Sequence, residues 1–583
     1  MIKRIKWTFG AVCLLCLLLA ARLAFLQLYD GIHSGSGLAG EASDLWNRSI
    51  VTEEYVRGEI FDRNMISMTD GKIKSRLTAF PAVLYNLELT VAALDSLDPD
   101  TKERMLQWIE RLGGGPIPQT GVFYPDPLAP ETLLSVERAN IPGLAVLPIK
   151  IRYGERSLAK HLVGYMNRVD PQTWNELASG NKTRENSASP KAYGKDDFIG
   201  VAGLEKKYEN WLRGGAPQQK AQGITDASGG ILPGLIQVES GLEDPYRNHI
   251  VLTLDKNIQE QVEFIMDGAV GKGAVVVLSV ETGNVLAMAS RPDFDQNRIG
   301  ESLLAEDALI SRADRESFYP GSVFKLVTAA AALESGLIQE DTRFLCTGSY
   351  VFPDGVRIGC AQAHGLVSME EAFAQSCNAA FVHLGVQVGA ERLNAMGERL
   401  GCGTMLGSGA PPALTGNTSI GQEGVQISPL QAARMLGTVA RGGVDIEPGV
   451  VSRILNNQGK VVETVEKSEA SRRVLSPDTA DLLNQWLKTA VREGTGKDAR
   501  AEPWGAAGKT GTAQANSAGR VIAWFAGYFP EENPQYAAAV MIEEDPDGDR
   551  QGLRGGKEAA EVFREIVIKI MRQSGKSDKI FIT

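Results

Sequence analysis

The feature that most constrains this chain is its start, where Lys3, Arg4 and Lys6 precede an apolar stretch at residues 7–28 interrupted only by Arg22 and Gln27. About 20 helical residues cross the hydrocarbon of a bilayer, so the stretch is long enough for one span. Basic residues on its N-terminal side stay cytoplasmic, which puts everything after Tyr29 outside. The run LAARLA at 19–24 offers no pair of small residues at the spacing a signal peptidase needs, so the expectation is an uncleaved anchor. Neither Cys13 nor Cys16 follows a small residue, as a lipoprotein site would require, and both read as span residues.

The remainder of the 583 residues exceeds one hydrophobic core and predicts two or three domains. A formal charge of -11 argues against nucleic acid as the main partner. Residues 41–244 mix short apolar runs with chain breakers, and the polar stretch 181–197 reads as a surface loop. The texture changes after His249. A β-rich run at 274–280, the turn signal Glu281-Thr282-Gly283-Asn284 and an apolar run at 285–289 predict a hairpin. An alanine-rich helix is predicted at 324–333, stopped by Gly336, with Ser322 at its N-terminus. Ser476 can cap a helix at 477–492 whose first position is Pro477. Paired strands are expected at 521–529 and 536–543. The fold class is therefore α+β, an antiparallel sheet flanked by helices.

Within Tyr319-Pro320-Gly321-Ser322-Val323-Phe324-Lys325, serine and lysine share one helix face a turn apart. A serine hydroxyl needs a base to become a nucleophile. Burial or a second cation favours the neutral form of lysine, and Lys325 could then take the proton. Ser-x-x-Lys alone is a weak signal. Ser376-Cys377-Asn378 follows, and Lys509-Thr510-Gly511-Thr512 lies further on, ahead of the strand pair. The ordered trio is the signature of penicillin-recognising serine enzymes.

Beyond the trio, the chain resembles a class B penicillin-binding protein. Residues 57–64 (RGEIFDRN) resemble the family's first pedestal motif, with Met65 where glycine is usual. Gly203-Leu204-Glu205 with Tyr208 and Leu212 resembles a second pedestal motif. Leu252-Thr253-Leu254-Asp255 resembles the entry to the transpeptidase domain, and 421–431 its later helical segment. The resemblance implies a cytoplasmic tip and transmembrane anchor at 1–29, an irregular, non-catalytic, dimerisation-like pedestal at 41–244, and a transpeptidase domain at 249–575. It implies that Ser322 attacks the penultimate D-Ala carbonyl of a peptidoglycan stem, and that β-lactams acylate the same serine. Ser376 would relay a proton, Asn378 would hold the substrate amide, and Lys509 would help keep Lys325 neutral. Thr510 and Thr512 would bind the terminal carboxylate, and the Ser322 and Thr512 N–H groups would form the oxyanion hole. No cofactor is implied. The family's division, elongation and spore-forming paralogues work beside a polytopic glycan polymerase, which is the implied partner.

Structural roles are assigned elsewhere. Gly511 serves close approach of its strand, His383 packs on an apolar helix face, and His161 belongs to the pedestal. Arg57, Asp62 and Arg63 are either an ion-pair network or a partner surface. A class A relative would carry a glycosyltransferase domain, and 41–244 shows no such constellation. A β-lactamase would need a further deacylating base, which no residue here supplies recognisably. A scaffold that makes no cross-links would have no use for the intact serine, lysines and asparagine.

Cys346, Cys360, His364 and Cys377 fall within 32 residues and adjoin Ser376. An extracytoplasmic disulfide between Cys346 and Cys360, a zinc site and unrelated buried thiols all remain open. By resemblance, some elongation-type relatives carry a metal near this position. The expectation is the Cys346–Cys360 disulfide, with acylation independent of metal.

Overall fold

The structure, a computed structural model, mainly describes residues 57–80, 98–113, 122–124, 128–139, 143–178, 197–215, 244–302, 307–403, 409–465, 471–514, 521–544 and 556–577, with strands at 50–54, 219–225 and 231–240. Most of the expected span at 7–28 lies outside the described residues, as does most of the loop expected at 181–197. Among those described, no helix is long and apolar enough to cross a membrane.

The chain forms two compact units. The first comprises 72–151, 214–245 and the residues before 57. Its Lys72–Ala79 strand pairs antiparallel with Leu144–Ile151, and helices Pro99–Gly113 and Pro130–Ala139 supply Met105, Trp108 and Leu133 to a core with Leu77 and Tyr124. Another sheet joins Ile50–Glu54, Gln219–Thr225 and Ile231–Ser240. The segment is thus more regular than its breaker-rich sequence suggests. Paired residues of Lys72–Ala79 and Leu144–Ile151 stand 65 to 79 positions apart, and those of Ile50–Glu54 and Gln219–Thr225 stand 165 to 173 apart, separations that no local pattern reveals.

The second unit takes in 57–71 and 152–213 together with 246–583. Ile60–Phe61 pairs parallel with Asn248–Leu252, joining the first pedestal motif to the sheet that enters the C-terminal half. Arg57 is buried and ion-paired to Glu205 and Glu209, while Arg152 pairs with the other oxygen of Glu205. Buried Asp62 accepts from the N–H groups of Asn64, Ile66 and Lys256. Arg57 and Asp62 are therefore internal struts. Met65 has φ 64°, a left-handed conformation that glycine adopts without strain, which explains the glycine usual there.

The centre is a five-stranded antiparallel sheet formed by β1 (Gly273–Ser279), β2 (Val285–Arg291), β3 (Ala507–Gln514), β4 (Val521–Phe529) and β5 (Tyr536–Glu543) in the order β2-β1-β5-β4-β3. Alternation along β1 sends Ala274, Val276 and Leu278 into one core with Met435 and Leu436 of α3 (Pro429–Ala440, counted after α1 at Lys256–Ala269 and α2 at Lys325–Glu334). Val275 and Val277 face the opposite core with Val262 of α1 and Phe563 of the C-terminal helix, Gly556–Ser577. Both faces are covered, so the strand is apolar throughout. The expected hairpin, the paired strands and the helix Pro477–Arg492 under its Ser476 cap are all present.

Candidate active site

Ser322 does not open an α-helix as expected. It sits in a 3-10 turn, Gly321–Phe324, from which α2 begins at Lys325. Gly321 has φ 53°, and a Cβ there would meet the Thr512 carbonyl oxygen at 2.4 Å. Gly511 lacks room likewise, since its Cβ would meet Pro320 O at 2.5 Å. The turn and β3 therefore touch backbone to backbone, which brings Ser322 beside the Lys509–Thr512 motif.

The other half of the site comes from 376–378. Lys325 Nζ donates to Ser376 O at 2.7 Å, Ser376 Oγ at 3.1 Å and Asn378 Oδ1 at 2.8 Å. Ser376 Oγ donates to Ser322 Oγ at 2.8 Å. Ser376 itself has φ 59°, a strained conformation for a residue with a Cβ, of the kind held at functional sites by its surroundings. Asn378 Nδ2 donates to Gly359 O at 2.9 Å, which fixes the amide.

Both lysines are fully buried, and burial lowers Lys325 to about 7, so a sizeable neutral fraction exists near neutral pH. Lys509 falls well below the usual lysine range, first through burial and then through repulsion from Lys325. Desolvation thus accounts for the partly neutral Lys325, and the repulsion between the two lysines falls on Lys509. Lys509 Nζ lies near Thr495 Oγ1 at 3.4 Å and Thr510 O at 3.3 Å, and the Thr495 and Thr510 hydroxyls stand 2.7 Å apart. Thr510 is buried, whereas Thr512 is exposed on β3, the last strand of the sheet among the described residues. Sequence reasoning missed Thr495 and Gln422, whose side chain reaches Thr512 O. Thr495 stands in no motif, and Gln422, although within the 421–431 segment, carries no local sign of a role at β3, so only the fold brings them in.

His383 packs between Phe344 and Tyr350, and His161 Nε2 meets Ala308 O at 2.9 Å. The expected Cys346–Cys360 disulfide is not formed, for the sulfurs stand 3.7 Å apart and both cysteines are free. Cys360 Sγ is also 3.7 Å from Cys377 Sγ, Cys346 Sγ is 3.4 Å from His364 Nδ1, and all four ligand atoms lie within 4.8 Å of one another. Thiolates at about 2.3 Å from a tetrahedral zinc stand roughly 3.8 Å apart, so this donor set fits such an ion. The hydrogen bond from Cys377 holds the Cys360 thiol down to about 5, while that contact and burial push Cys377 up.

Comparison with known proteins gives the geometry its context. The family described as the penicillin binding protein transpeptidase domain matches residues 273–567, and the penicillin-binding protein dimerisation domain matches 52–241. Peptidoglycan D,D-transpeptidase PbpA of Mycolicibacterium smegmatis is 31% identical over 57% of this chain and 74% of its own length. Stage V sporulation protein D of Bacillus subtilis is 26% identical over 98% of this chain and 85% of its own. Among solved structures, the penicillin G acyl-enzyme complex of penicillin-binding protein A from M. tuberculosis aligns with a TM-score of 0.51 and 28% identity, covering 56% of this chain and 82% of that one. With a transpeptidase domain preceded by a dimerisation domain, the chain belongs to the class B penicillin-binding proteins.

Proposed function

We propose that this chain is a D,D-transpeptidase that cross-links peptidoglycan stem peptides through a Ser322 acyl-enzyme and is acylated there by β-lactams. The observation that carries the reading is the continuous chain Lys325 Nζ, Ser376 Oγ, Ser322 Oγ, with a lysine whose burial leaves it partly neutral.

In acylation, Ser322 Oγ bonds to the carbonyl carbon of the penultimate D-Ala, and its proton passes through Ser376 to neutral Lys325. The same relay returns a proton to the departing D-Ala amine as the tetrahedral intermediate collapses. An amine of a neighbouring stem then attacks the ester, and Ser322 recovers its proton. The Ser322 and Thr512 N–H groups would hold the oxyanion, a role favoured by the contact between turn and strand and worth about 3 kcal/mol per donor. Asn378 would hold the substrate amide. Lys509, with Thr510 and Thr512, would receive the terminal carboxylate, and Gly511 admits the close approach.

Cys346, Cys360, His364 and Cys377 would hold a zinc ion whose contribution is a structural cross-link beside the 376–378 loop. The apolar run at 7–28 behind Lys3, Arg4 and Lys6 supports a single-pass membrane anchor with the catalytic domain outside. A polytopic glycan polymerase in the membrane is the proposed partner. The test is incubation with a D-Ala-D-Ala stem peptide and an amine acceptor. Release of D-Ala with formation of the cross-linked amide supports the reading, release of D-Ala with hydrolysis alone indicates a carboxypeptidase, and no release indicates a scaffold.

A further inference from the structure

Among the described residues the sheet ends at β3, and no further strand pairs with its outer edge. Its groups at Thr512 and Gln514 are nevertheless engaged. Gln422 Nε2 donates to Thr512 O at 2.9 Å, and the Gln514 N–H donates to Gln422 Oε1 at 3.4 Å. Donating to the carbonyl of one residue and accepting from the N–H two residues on is what each bonding residue of a parallel strand does. A carboxamide has the same donor and acceptor as a peptide group, so one side chain imitates one unit of a neighbouring strand.

The backbone carrying this side chain is fixed beside the nucleophile. Gly421 O accepts from the Gly321 N–H at 2.9 Å, one residue before Ser322, and the Gln422 N–H donates to Asn417 O at 3.1 Å. A Cβ on Gly421 would meet Gly321 O at 2.1 Å, so the loop lies directly against the catalytic turn. The carboxamide is only partly buried and reaches the edge through rotatable side-chain bonds, so it can leave without moving that backbone.

We propose that Gln422 is a specificity-determining residue whose carboxamide occupies the β3 edge at Thr512 in place of a substrate peptide group and is displaced by the amide of the acyl donor. This rests on the reading that Ser322 accepts an acyl group beside β3. The Thr512 carbonyl has two lone pairs, but a ligand amide that pairs along the strand edge would take the place Gln422 fills by bonding both Thr512 O and the Gln514 N–H, so the two groups compete there. Ligands with an amide next to the reacting carbonyl therefore compete with Gln422, while ligands without one do not.

The experiment measures second-order acylation rate constants for benzylpenicillin, which carries a side-chain amide N–H, and for 6-aminopenicillanic acid, which lacks it. In Gln422→Ala the ratio of the two constants is expected to rise in favour of benzylpenicillin by about threefold to tenfold, the scale of one neutral hydrogen bond. Gln422→Glu keeps the shape but cannot donate to Thr512 O, so it should move the ratio the same way and decides the matter if the alanine variant folds poorly. An unchanged ratio in well-folded variants, with both constants moving together or not at all, overturns the proposal. Failure of the underlying reading looks different, since the unmodified protein would then be acylated at Ser322 by neither compound.

Discussion

Lys325 Nζ stands 3.1 Å from Ser376 Oγ and 2.7 Å from the Ser376 carbonyl, so the buried lysine reaches Ser322 by way of Ser376. Removing the hydroxyl in Ser376→Ala breaks the relay without removing either end of it. Acylation by benzylpenicillin should fall about a hundredfold or more, the usual scale of a general acid–base contribution. Stopped-flow or gel-based acylation kinetics measure this, and a loss below about threefold would mean that Lys325 acts on Ser322 without Ser376.

The pH dependence follows from the same lysine. Burial lowers Lys325 to about 7, so its base form grows as pH rises through that value. Acylation should increase between about pH 6 and 8 and level off above. Stability has the same sign. Between the lowered value near 7 and the ordinary lysine value of 10.5, the unfolded state binds the extra proton, so the penalty for burying Lys325 fades as pH rises through that window. A flat acylation profile from pH 6 to 8 would show that Lys325 is not the titrating base.

Gly511→Ala inserts a methyl group where Pro320 O would lie 2.5 Å away and Val323 Cγ2 3.0 Å away. The strand must shift from the Ser322 turn, so acylation should drop at least tenfold while stability falls by about 1–3 kcal/mol, as overpacking usually costs. Acylation kinetics beside denaturant unfolding separate the two effects. Unchanged acylation would show that this approach is not needed for the reaction.

In the second unit, Arg57→Ala leaves Glu205 and Glu209 with one cation fewer around a fully buried carboxylate. Breaking such a pair typically costs about 3–5 kcal/mol, which denaturant unfolding should detect. A change below about 1 kcal/mol would show that Arg152 alone satisfies Glu205.

The cysteine cluster gives a chemical prediction. Protein purified without chelator should carry about one zinc per chain, and chelation should lower the melting temperature, since an ion bound only by the folded state stabilises it. Metal analysis and thermal melting test this together. Metal-free protein with Cys346 and Cys360 linked in non-reducing peptide maps would restore the disulfide reading.

The parts of the fold that were legible carried local signals. Ser476 followed by proline marked the helix Pro477–Arg492, and the turn at Glu281–Asn284 marked the first hairpin. The trio of motifs named Ser322, Lys325, Ser376, Asn378 and Lys509, and the fold brings them together within one unit. What stayed hidden depends on contacts far apart in sequence. Gln422 meets β3 at a separation of 90 residues, and Thr495, though nearer in sequence, is drawn in only where the fold sets its hydroxyl against Thr510 and Lys509. The 3-10 turn at Ser322 was hidden because it is set by Gly321 packing on Thr512, not by helix propensity. Cys346 and Cys360 were close in sequence but ambiguous, for the same spacing serves a disulfide or a metal, and only the positions of His364 and Cys377 favour the second.

The most direct test of the central claim is the intact mass of the protein after exposure to benzylpenicillin, followed by peptide mapping. One covalent acyl group per chain is expected on the peptide bearing Ser322, absent in Ser322→Ala, whose melting should match the unmodified protein because a half-buried serine leaves no large cavity. An adduct on the peptide bearing Ser376, or none on a correctly folded protein, would contradict the claim.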